Sequence, residues 1–136
     1  ARCFVIRGCR KTGDPFEDAT VNGTPTSSST PTTSTITTTG ANRLVAWIGA
    51  IDDNNTVSSW TAGWTSWTAL GSDTGGDSQI GLATQRKESA GDVTGGTMWT
   101  MGAADYWRTL ALAFIPPLSR PVEYPPSRRF LHMLIR

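Results

Sequence analysis

The apolar residues of this chain fall into short runs parted by clusters of Gly, Pro, Ser, Thr and Asp, a spacing that predicts strands joined by turns. The strongest run, Leu44-Val45-Ala46-Trp47-Ile48-Gly49-Ala50-Ile51, sits between Asn42-Arg43 and Asp52-Asp53-Asn54-Asn55. It predicts a central strand buried on both faces or nearly so. Residues 79–87 alternate apolar with small or polar positions, as a half-solvated strand does. In residues 106–115 the two-residue period puts Leu110, Leu112 and Phe114 on one face, and Pro116-Pro117 ends the strand because proline donates nothing to a ladder. Residues 3–7, 35–39, 65–70 and 97–101 add shorter strands. The total is about seven, the number of a small sandwich.

Between these runs the turn chemistry is explicit. Gly13-Asp14-Pro15 predicts a reversal, and residues 52–55, 72–77 and 87–92 predict others. Residues 20–40 are almost entirely Thr, Ser, Pro, Gly and small side chains, a composition shared by O-glycosylated stalks, flexible linkers and solvent-facing edge strands. The β-branched run Thr35-Ile36-Thr37-Thr38-Thr39 favours an ordered edge strand there. Residues 118–136 differ in kind, with Pro121, Pro125 and Pro126 ahead of Arg128-Arg129-Phe130-Leu131-His132-Met133-Leu134-Ile135-Arg136. This reads as an extended arm whose apolar residues either fold back on their own domain or dock on a neighbour. The division is therefore a domain over 1–117 and an arm over 118–136.

Composition agrees with strands rather than helices: charged residues are 17% of the chain, Gly numbers 14, and no long Ala/Leu/Glu/Lys-rich stretch occurs. A length of 136 residues suits one domain. With 12 basic against 11 acidic residues the net charge is +1, and the basic residues are scattered until the last few positions, so no footprint for nucleic acid is visible. No apolar run approaches the roughly 20 residues that span a bilayer, so membrane insertion is not expected. The chain opens at Ala1 directly into the strand-like residues 3–7, which leads us to expect that this strand finds partners in preceding residues or in another subunit. Cys3 and Cys9 are too far apart along an extended strand for a bridge, since six residues cover about 20 Å. A turn at Gly8 would be needed to join them, and the redox state is open.

Little in the chain suggests catalysis. Its single histidine, His132, is in the arm, remote from the acidic residues, so no Ser-His-Asp or Cys-His set is assembled in one site. Asp52, Asp53, Asp73, Asp77, Glu88, Asp92 and Asp105 all fall in predicted turns, where Asx capping is the ordinary role. Asp52-Asp53-Asn54-Asn55 lacks the spaced acids of a calcium loop, and neither a metal nor an organic cofactor is expected. Tryptophan is the informative residue. Trp47 and Trp107 lie in apolar strands and read as core, whereas Trp60, Trp64 and Trp67 crowd into eight residues of polar sequence and are the candidates for stacking on a sugar face.

The order of motifs carries a resemblance. Val5-Ile6-Arg7-Gly8, Asp14-Pro15-Phe16, the Thr/Ser/Pro tract, Asn42-Arg43-Leu44-Val45, an aspartate turn, Gly63-Trp64-Thr65, Ile80-Gly81-Leu82-Ala83, Lys87, Ala90-Gly91 and Leu112-Ala113-Phe114-Ile115-Pro116 succeed one another over about residues 2–116. This resembles the jelly-roll-like β-sandwich structural proteins of tailed bacteriophages. The resemblance implies an antiparallel, all-β, jelly-roll-like sandwich and a non-enzymatic virion component: a capsid decoration, head-fibre or tail-associated adhesion subunit. Its expected partners are other copies of itself and other virion proteins, joined by strand addition and by the arm residues Arg128, Arg129, Phe130, Leu131, Met133, Leu134 and Ile135. The alternative is a carbohydrate-binding module of a secreted or cell-surface protein, with surface glycan as partner and Trp60, Trp64 and Trp67 as its platform.

Overall fold

A computed structural model of the chain describes residues 5–23, 27–53, 55–70 and 78–117. Among them run nine strands: β1 (Phe16–Gly23), β2 (Ile36–Thr38), β3 (Arg43–Ile51), β4 (Val57–Trp60), β5 (Thr65–Leu70), β6 (Gln79–Lys87), β7 (Gly91–Val93), β8 (Trp99–Met101) and β9 (Trp107–Phe114). Five form an antiparallel sheet in the order β1-β9-β3-β6-β5, while β2 pairs with β7 and β4 with β8. The two small pairs belong to one interrupted layer. Residues 28–38 run antiparallel to residues 91–105, tied by the Ser28–Asp105 and Thr32–Thr97 bridges and by the Met98 N–H to the Pro31 carbonyl at 2.7 Å. The fold is an all-β sandwich, as expected.

Register explains the core. On the inner face of the large sheet, Val45, Trp47, Gly49 and Ile51 of β3 stand beside Ala113, Ala111, Thr109 and Trp107 of β9 and beside Gln85, Ala83, Gly81 and Gln79 of β6. The opposite layer supplies Ile36, Val93, Met98, Trp99 and Met101. Trp99, 1% exposed, is the largest of these. A Cβ at Gly49 would lie 2.1 Å from the Trp99 ring and one at Gly81 2.9 Å from it. These two glycines face each other in the ladder. They make a side-chain-free seat for the indole, which is the close approach that glycine permits in a strand. Trp47 and Trp107 are buried, at 2% and 7% exposed.

Several expected elements differ. Residues 5–7 are not a strand, and Cys3 and Phe4 lie outside the described residues. β1, not this segment, pairs with β9, and intrinsic strand propensity yields to tertiary context. The N-terminal segment instead makes single backbone contacts, Arg10 N–H to the Ile115 carbonyl and Ile115 N–H to the Pro15 carbonyl, both 2.9 Å. Cys9 is a free thiol. The expected reversal at residues 13–15 is present, closed by the Phe16 N–H on Asp14 Oδ1 at 2.9 Å. β1, β4 and β7 are strands the sequence does not predict: β1 runs into the Thr/Ser tract, whose expected strand is at 35–39, and β4 and β7 lie in or beside predicted turns and loops.

β1 is held by a bulge. Its register shifts between Phe16 and Asp18, leaving Glu17 unpaired in the ladder. The carboxylate is thereby aimed at the start of β3, where Glu17 Oε2 accepts from Arg43 Nε at 2.5 Å and Oε1 accepts from the Thr39 N–H at 2.9 Å and from the Thr39 hydroxyl. The neighbouring Asp18 Oδ2 accepts from the Thr37 N–H at 2.9 Å. One edge of the large sheet is thus fastened to the opposite layer through two carboxylates.

Two predictions follow from these contacts. Trp99→Ala is expected to cost about 3–5 kcal/mol and Gly49→Val about 1–3 kcal/mol in chemical denaturation, whereas Gly96→Ala, where a Cβ meets no atom within 4 Å, changes stability little. The Arg43 hydrogen bond holds the Glu17 pKa down at about 2 against an ordinary 4.5, despite opposing desolvation, with the Thr39 groups assisting. A carboxylate with a depressed folded-state pKa contributes stability that is present above its unfolded value and is lost as pH falls. Melting curves of the wild type should therefore show a Glu17-dependent loss between about pH 4.5 and about pH 2 that Glu17→Gln abolishes.

Candidate functional site

Two surfaces stand out. The first is a cleft of about 410 Å³ at one end of the sandwich, where the layers part. Its floor and walls include Trp47 and Gln85 from the inner face, Lys87 at the end of β6, Val93–Thr97 of the opposite layer, and Trp64. Trp64 follows Gly63, whose φ of 83° is a left-handed value open to glycine, in the turn between β4 and β5. That turn lays the Trp64 ring on Trp47 with centroids 3.9 Å apart and planes 27° from parallel. Trp64 is only half-buried. The buried Trp47 indole N–H has no acceptor among the described residues. A buried donor left in that condition costs roughly 1–3 kcal/mol.

Trp60 and Trp64, two of the three expected stacking tryptophans, are not brought together on one platform. Trp60 belongs to β4, not to a loop, faces Trp99 across the ladder and packs on its ring at 5.3 Å and 58°. It is part of the core rim, because the β4–β8 pairing turns it inward. Trp64 lines the cleft and Trp60 does not. Trp67 pairs with Leu82 in the β5–β6 ladder, and its side chain lies outside the described residues. Gln85 and Lys87 are cleft residues that the sequence reading did not single out. The alternation of β6 was the available signal, since it puts 79, 81, 83, 85 and 87 on the same face as Trp47.

The described acidic residues Asp92 and Asp105 make local structural contacts. Asp92 lies in β7 rather than in a turn and accepts from the Thr37 hydroxyl at 2.7 Å, while Asp105 accepts from the Tyr106 N–H at 2.7 Å and from Asn55 at 3.3 Å. Asp73 and Asp77 lie outside the described residues. Among the described residues no three His, Cys, Asp or Glu side chains gather as metal ligands.

The second surface is the outer face of the large sheet. Residues alternating with the core set bring together Leu44, Ala46 and Ile48 of β3, Leu110, Leu112 and Phe114 of β9, Ile80 and Leu82 of β6, and Ala19 and Val21 of β1. Ile48, Ile80, Leu82, Leu110 and Leu112 are half-buried, and Val21 is 72% exposed. No other described strand lies on this face, because β2, β4, β7 and β8 are all in the opposite layer. The expected arm residues Arg128, Arg129, Phe130, Leu131, Met133, Leu134 and Ile135, together with His132, lie outside the described residues.

Comparison with known proteins gives no relative: no family model, no curated protein and no solved structure matches the chain.

Proposed function

We propose that the chain is a non-enzymatic assembly domain, a structural subunit of a tailed-phage particle that is displayed on the virion and buries the outer face of its large sheet against the apolar arm of a neighbouring copy. The observation that carries this reading is the apolar outer face. Half-solvated antiparallel sheets ordinarily carry polar side chains on the side away from the core, and here leucine and isoleucine occupy it across three adjacent strands. A contiguous apolar surface of this kind marks a binding interface in a protein that stays in solution. The arm offers matching chemistry, five apolar residues in Phe130-Leu131 and Met133-Leu134-Ile135, and it follows β9, one of the strands that make the face. β5 pairs only with β6 among the described strands, so its outer edge is available for strand addition.

Strand order supports the same reading. The first strand lies beside the last, the last beside the third and the third beside the sixth, while the second faces the seventh and the fourth the eighth. The double Greek key of viral capsid and lectin domains likewise sets its first strand beside its last.

The test is the solution mass, by light scattering at matched concentration, of the full chain, of a chain ending at Pro117 and of an Ile48→Lys, Leu112→Lys variant. The full chain is expected to be multimeric, and both altered proteins to be folded monomers, because the two substituted residues are half-buried on the outer face. Val45→Lys, on the fully buried inner face, should instead unfold the protein. A monomeric full chain overturns the assembly reading.

A further inference from the structure

We propose that the cleft at Trp47 and Trp64 is a saccharide-binding site that holds one or two sugar rings. This goes beyond the assembly reading and does not depend on it. The volume, about 410 Å³, is that of a small-ligand pocket. Its chemistry is the combination that a sugar requires: a flat apolar surface for the C–H face of the ring, and hydrogen-bonding groups that the protein leaves unused.

Trp64 supplies the surface, since it lines the cleft and is half-buried while its ring rests on Trp47. An indole so braced is already fixed in position, and a ligand stacking on it loses little further side-chain freedom. The unused groups are two. The Gln85 side chain makes no hydrogen bond to another described residue, so its amide presents donors and an acceptor. Lys87 forms no ion pair among the described residues.

Other ligand classes fit less well. A phosphate would want several convergent cations, and the second basic side chain, Arg86, is engaged with Asn42 at 2.7 Å and Glu88 at 3.2 Å. An extended apolar ligand would leave Gln85 and Lys87 desolvated without partners.

The experiment is ligand-observed NMR and calorimetric titration of the full chain with glucose, galactose, mannose, N-acetylglucosamine, glucuronic acid and their disaccharides. At least one of these probes is expected to bind saturably, with a dissociation constant below about 1 mM. Trp64→Ala should weaken that binding about tenfold or more, and Gln85→Ala severalfold, with Tyr106→Ala, an exposed aromatic outside the cleft, unchanged. Gln85→Ala keeps the test decisive if Trp64→Ala disturbs the Trp47 packing, and circular dichroism shows which has happened. The same titration on the Ile48→Lys, Leu112→Lys protein separates the two readings, because loss of assembly there leaves sugar binding intact. Absence of saturable binding by every probe, or binding indifferent to both Trp64→Ala and Gln85→Ala, overturns the proposal.

Discussion

The sandwich depends on how closely its two layers approach, and that distance is set where the Trp99 indole lies over Gly49 and Gly81. Any side chain at either glycine would push the ring and its layer outward. With the seat empty, Trp99 fills the middle of the core, Trp60 closes over it, and Thr109, next to Gly49 in the ladder, extends the row of small side chains. The Thr109 hydroxyl donates to the Thr32 carbonyl at 2.6 Å, so even the polar member of this row joins the layers. Sheet-on-sheet packing normally leaves about 10 Å for interdigitated side chains. Here one large ring opposite two glycines does much of that filling.

The cleft follows from the same arrangement. One step along β3 from Gly49 the inner face carries Trp47, while the layer opposite passes through Gly95 and Gly96 on its way from β7 to β8. Large side chains are therefore present on one side of the gap and missing on the other. The volume that remains is roofed by Trp64 instead of by the opposite layer. A ligand site at this place needs no catalytic residue or added domain, only a core that stops short of closing.

Much of this was legible in the sequence and some was not, for physical reasons. Residues 44–51, 79–87 and 106–115 announced themselves because central strands bury enough apolar surface to show in the residue pattern, and they became β3, β6 and β9 with ends shifted by a residue or less at most positions. β1, with the sequence Phe-Glu-Asp-Ala-Thr-Val-Asn-Gly, did not, because it is an edge strand placed by a bulge and by the Glu17–Arg43 pair, whose partners are 26 residues apart. β4 and β7, at four and three residues, are too short to carry a period. In the cleft, a sequence of closely spaced tryptophans suggested one platform, but strand alternation and the β4–β8 pairing sent Trp60 and Trp64 to different places. Proximity along a chain says little about proximity in a sandwich, where neighbours come from strands far apart.

The apolar run of β3 predicts a strand buried on both faces, and that bears on function. A strand apolar on both faces belongs in the middle of three layers, and only two are found among the described residues. On the proposed reading an apolar partner covers the outer face, and residues 118–136 hold one apolar cluster that could do so. The cleft opens between the layers, whereas the outer face points away from both, so a protein covered on one surface keeps the other free. A subunit can then be locked to its neighbours through its large sheet while each copy offers the same small site outward. Weak binding at each such site would be multiplied by the number of copies, since linking sites raises avidity by about 10²–10⁴ without new contacts.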